Sequence, residues 1–172
     1  MIAFPDIPAA AAGVRGHFRL EDVLFMAAKA NRIAPLQVVR ADRVVGPQHL
    51  AHAAALALRA QAEGRAQAAK PEVEFVRYLA GERQIRSALE KVGVRDGEEA
   101  VVLMAFGPKC QDAIRYMIHA MAPKHEDDAV IDASESKLVD FGITALEMEA
   151  TTPERRLDLV LERVAEVDVL RS

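Results

Sequence analysis

The sequence predicts a mixed α/β fold of the α+β class, a single domain in which a central sheet of about four strands is packed by about six helices. Two apolar runs of strand length, Leu36 to Val45 and Ala100 to Phe106, are rich in β-branched and aliphatic residues. Elsewhere, apolar residues recur at three-and-four spacing in stretches opened by Pro, Ser or Thr and closed by Gly or Pro. The third observation is the segment Glu72 to Gly93, EVEFVRYLAGERQIRSALEKVG. Val73, Phe75 and Leu79 alternate with Val76 and Tyr78 up to Gly81, after which Ile85, Ala88, Leu89 and Val92 take helical spacing. This reads as a central strand, covered on both sides, running into a helix.

Residues 1–16 contain two prolines and no basic leader, and are expected to be a poorly ordered lead-in to a domain spanning 17–172. Leu20 to Asn31 reads as a helix with Glu21 and Asp22 at its N-terminus. The strand from Leu36 is expected to bend at Ala41 and Asp42, and Pro47 then opens an alanine-rich helix to Glu63. Ala100 to Phe106 is expected to lie parallel beside the strand at Val73 to Leu79, through a right-handed crossover. A helix follows Gly107 and Pro108, with Cys110, Ile114, Met117 and Met121 as its apolar stripe. Ser134 caps a helix to Phe141, Thr144 and Glu147 form a capping box, and Thr152-Pro153 opens a last amphipathic helix.

The chain has 172 residues, 51% of them hydrophobic, enough for a core that needs neither disulfides nor metals. Its single cysteine, Cys110, excludes an internal disulfide framework and favours a reducing compartment, the cytoplasm. No apolar run approaches the roughly 18 to 20 residues that span a bilayer, so no membrane partner is expected. The net charge is −4 and unevenly spread: residues 1–125 carry 17 Lys and Arg against 13 Asp and Glu, residues 126–172 carry 5 against 13. That balance argues against nonspecific nucleic-acid binding over the whole surface.

No phosphate loop, dinucleotide-binding glycine pattern, serine elbow or HExxH helix occurs in the chain. Cys110 and His119 lie half a turn apart on one predicted helix, about 13 Å along its axis, and do not make a nucleophile pair. His49 and His52 lack a third metal ligand. No catalytic residue, metal or cofactor is expected. The cations Arg77, Arg83, Arg86, Lys91 and Arg95 cluster around the Gly81 junction against Glu82 and Glu90. A phosphate or other small ligand at that junction is one reading of the cluster.

A second reading comes from four segments: HLAHAAALALRA at His49 to Ala60, EVEFVRYLAGERQIRSALEKVGV at Glu72 to Val94, FGITALE at Phe141 to Glu147, and LVLERVAEVDV at Leu159 to Val169. Together they resemble the PRPK-binding protein family, the small kinase-binding subunit of the KEOPS complex. The resemblance implies a noncatalytic part in making threonylcarbamoyl-adenosine in tRNA. It implies binding and stimulation of the kinase-like ATPase subunit, recruitment of the tRNA 3′ CCA end, and the threonylcarbamoyltransferase subunit as an indirect partner. Single-stranded RNA is held by cations and stacking planes, which Arg59, Arg77, Tyr78, Arg83, Gln84 and Arg86 supply. The alternative for these residues is structural: Arg83 and Gln84 capping backbone groups, Arg77 paired with Glu74 or Glu82. For the kinase contact the expected residues are Leu56, Leu161, Val164 and Leu170.

Overall fold

In the computed structural model, which describes residues 1–122 and 124–169, consecutive alanines from Ala9 to Ala12 occupy the middle of the sheet and are buried on both faces. They belong to β2 (Ala9–Phe18), which pairs antiparallel with β4 (Glu98–Phe106) on one edge. On its other edge β2 meets β1 (Ile2–Phe4) and the short β5 (His125–Glu126). β3 (Leu36–Arg40) pairs with the far edge of β4, giving the order β1-β2-β4-β3, antiparallel throughout. Methyl side chains keep β2 thin, so helices approach closely from both sides.

One layer is α1 (Leu20–Ala30) and α5 (Cys110–Ala120), packed on Ala10, Ala12, Val14, Leu103 and Ala105. The other contains α2 (Pro47–Ala62), α3 (Pro71–Ala80), α4 (Ile85–Val92), α6 (Glu135–Phe141), α7 (Ala145–Glu149) and α8 (Arg156–Glu166). Their core surrounds Ala9, Ala11, Val102, Met104 and Phe106. The α+β class therefore holds. Among the described residues no helix is long and apolar enough to cross a membrane.

Several local signals act as read. Pro47 stands in a first helical turn, Ser134 Oγ accepts from Lys137 N, and Thr144 with Glu147 closes a capping box. β3 ends in a 3-10 turn over Ala41–Arg43, where the bend was expected.

Two expectations are corrected. Residues 1–16 are not a disordered lead-in: they form β1 and most of β2, so no boundary separates them from the rest. Val73 to Leu79 is not a strand but lies within α3, and the parallel crossover disappears with it. α3 is buried on nearly every side, Glu74, Phe75, Val76, Arg77, Tyr78 and Leu79 alike. A short run with apolar residues all round fits either period. Here Pro71 at its start and Gly81 at its end decided for helix.

Gly13 shows how tightly β2 is enclosed. A Cβ there would lie 2.3 Å from Asp127 O and 2.5 Å from Val130 Cγ2, while Gly13 N donates to Asp128 Oδ1 at 2.8 Å. Since the first of these atoms is backbone, Gly13→Ala is expected to cost roughly 2 to 3 kcal/mol, as overpacking does. Chemical denaturation measures it; an unchanged midpoint would mean that the segment at Asp127 to Val130 yields freely.

Candidate partner and nucleic-acid interface

Gly81 ends α3 in the left-handed conformation, φ 63°. Gly81 N donates to Tyr78 O at 3.1 Å and Glu82 N to Arg77 O at 2.9 Å, the pair of reversed bonds that closes a helix end. Arg83 and Gln84 bridge to α4, which begins at Ile85 with Gln84 as its cap position and no side-chain cap bond. The side chains of Arg83, Gln84 and Arg86 are exposed, Arg86 Nε reaching Glu90 Oε1 at 3.2 Å. Glu82 pairs with Lys91 across the turn. The expected cations thus stand at a helix-helix junction. The cleft behind Gly81, lined by Leu79, Ala80, Lys91 and Phe141, holds about 10 Å³. That is room for no more than a water molecule; at the surface of the junction the C-terminal end of α3 disfavours an anion and the N-terminal end of α4 favours one.

Arg77 and Tyr78 sit elsewhere than a contact role requires. Arg77 is 1% exposed. Its Nη1 pairs with Glu74 Oε1, and its Nε donates to Arg83 O at 2.8 Å. The other oxygen of Glu74 accepts from Gln67 N at 3.0 Å and Ala68 N at 2.9 Å. This buried pair ties the α2–α3 connector and the α3–α4 junction to one helix. The Tyr78 ring is buried and its hydroxyl donates to Asp168 Oδ2 at 2.8 Å, while Arg65 Nη1 meets the same oxygen at 2.6 Å. Burial, and then the Asp168 carboxylate, push the phenol up to about 12. Burial works against ionisation of Asp168, yet Arg65 and Tyr78 hold its carboxyl below the ordinary value. Arg59 stands on α2, exposed and bonded to Glu63 at 2.8 Å.

The residues expected at a protein partner divide in the same way. Leu161 of α8 lines a groove of about 370 Å³ with Phe4, Ile7, Ala51, His52 and Ala55. Leu56 is half-buried against the core, Val164 is wholly buried beneath α8, and Leu170 lies outside the described residues. A second groove, about 450 Å³, runs between α1, β3 and α4 past Leu24, Ala27, Val38 and Leu89. Beside it Leu24 and Phe25 are 60% and 62% exposed. Sequence reasoning missed this surface, although its signal was present: Val23, Leu24 and Phe25 point about 100° apart on a helix, so they cannot all face one sheet.

Apolar grooves along helices, and cations displayed at a helix junction, are the means by which a binding module meets its partners. The chain belongs to the family of the kinase binding protein CGI-121, whose family model matches residues 19–163, from the end of β2 to within α8. No curated protein matches the chain.

Proposed function

We propose that this chain is the noncatalytic kinase-binding subunit of a KEOPS complex, acting in the cytoplasm. It docks on the kinase-like ATPase subunit, stimulates it and brings in tRNA by its 3′ CCA end, with the threonylcarbamoyltransferase subunit as an indirect partner. The observation that carries this reading is the match to the kinase-binding family over residues 19–163.

The α2–α8 groove suits the kinase contact. Leu161 reaches its partner directly and Val164 supports it from below. Arg83, Gln84 and Arg86, with Arg59 on α2, meet the RNA; Arg77 and Tyr78, both buried, act by holding the junction in shape. Leu161→Glu places a charge in an apolar groove and is expected to weaken co-purification with the kinase-like subunit by about tenfold or more. An undiminished complex would remove the groove from the proposal. Reversing both Arg83 and Arg86 to Glu is expected to lower tRNA affinity by about tenfold at ~0.1 M salt and to flatten its salt dependence. The same titration with tRNA lacking its CCA end tests the site of contact: equal affinity for both RNAs would sink the CCA assignment while leaving the kinase contact standing.

A further inference from the structure

A third groove, about 370 Å³, opens at the end of the sheet between Pro8, Ile33, Pro35, Leu58, Pro71 and Pro108. It adjoins the α2–α8 groove at the turn from Phe4 to Pro8. Its walls are aliphatic and proline carbon, and Phe106 at its back is only 1% exposed. Among the described residues, the cationic side chains that make no ion pair, ring contact or hydrogen bond are Arg32, Lys70, Arg83 and Lys109. Lys109 lines the groove, and Arg32 and Lys70 are exposed residues next in sequence to the lining residues Ile33 and Pro71. Of the neighbouring carboxylates Asp6, in the Phe4–Pro8 turn, is exposed and makes no ion pair among the described residues, and the others are engaged or enclosed. Glu63 is paired with Arg59 and Arg65, Asp112 with Arg115, and Glu72 is buried.

We infer that this groove receives an acidic segment of a partner protein, its aliphatic side chains seated among the prolines and its carboxylates met by Lys109, Lys70 and Arg32. Proline walls bring no ordering cost and no competing N–H groups, so an extended chain with leucine or isoleucine anchors fits them. Unpaired cations around an apolar floor select negative charge. A stacked nucleobase fits less well, because Phe106, the aromatic ring of the lining, is buried and the proline and aliphatic walls offer few polar side chains for a base's edges. The inference stands apart from the kinase and tRNA assignments.

The test uses the full chain and a blocked, fluorescein-labelled peptide with two leucines among glutamates, followed by anisotropy and by amide shifts. Saturable binding is expected, with shifts concentrated at Ala34, Leu58, Phe106 and Lys109. The surface double substitution Lys70→Glu with Lys109→Glu is expected to weaken it about tenfold, as two reversed rim charges should at low salt, and Arg86→Glu to leave it unchanged. The matching lysine-leucine peptide is expected not to bind. The inference is overturned by no saturation at millimolar peptide, or by binding indifferent to the Lys70 and Lys109 reversals. It also falls if an oligoadenylate RNA binds tighter and is lost in the same variant, or if concentration-dependent sedimentation shows a second copy of the chain covering the groove.

Discussion

Replacing Arg77 with methionine is expected to destabilise the folded chain by about 3 to 5 kcal/mol, the range for stripping one partner from a buried ion pair. Arg77 and Glu74 are both out of water, and removal of the guanidinium leaves a carboxylate whose remaining partners are Gln67 N and Ala68 N. The carbonyl of Arg83 loses a donor as well. A double variant, Glu74→Leu with Arg77→Met, is expected to be less unstable than the sum of its parts, because no buried charge is then left over. Urea unfolding of the four chains gives the coupling. A loss below about 1 kcal/mol for Arg77→Met would mean that water reaches the pair. Amide exchange should quicken at residues 82–85 first, and weakened tRNA binding in this variant would come from the shape of the junction.

Stability should also fall on mild acidification, because of His49. The ring is fully buried, makes an edge contact with Phe141 at 5.3 Å between centroids, and accepts from Val45 N at Nδ1, 3.1 Å away. Accepting at Nδ1 places the neutral proton on Nε2. Burial above all lowers its pKa from 6.5 to about 3; a hydrogen bond with the Leu79 backbone opposes the shift, and the charges of His52 and Lys137 add to it. Above pH 6.5 both folded and unfolded chains carry a neutral ring and stability is whole. As pH drops below that, the unfolded ring takes a proton that the folded one refuses, which costs about 1.4 kcal/mol per pH unit and roughly 2 kcal/mol at pH 5. The carboxylates held low, such as Asp127 and Glu147, lose their contribution only at lower pH. A His49→Asn chain, whose amide oxygen still accepts from Val45, should lose this slope between pH 6.5 and 5 whatever its absolute stability. Persistence of the slope in that variant would place its origin in another group.

What could be read from the residues was whatever short-range chemistry decides. Ser134, Thr144, Pro47 and the Ala41 bend are local devices, and each works without help from distant chain. α3 shows where that kind of reading stops. Its alternation of apolar residues satisfied a strand while Phe75 with Leu79, and Val76 with Ala80, equally satisfied a helix; only its enclosure on all sides, a tertiary fact, makes both patterns compatible with burial. β2 escaped notice for the opposite reason. A run of alanines carries almost no strand propensity, and it is a strand because larger side chains would not fit between two helical layers. The candidate surface followed the same division. Exposure of Arg83 and Arg86 follows from their place in a short junction, whereas the burial of Arg77 depends on a connector seven to ten residues upstream. Leu161 was legible as part of a terminal amphipathic helix; the groove it lines needed β1 and α2 as well.

β3 is the last strand on its side of the sheet. Beyond it, Asn31 Nδ2 donates to Leu36 O and Asn31 Oδ1 accepts from Leu36 N, both at 3.0 Å, while Val39 bridges to Gly93 nearer the other end. One side-chain amide thus imitates the strand that would come next, and a stray chain finds the border already taken. A companion that comes to this border must recognise side chains, which can be told apart, instead of naked peptide groups, which cannot.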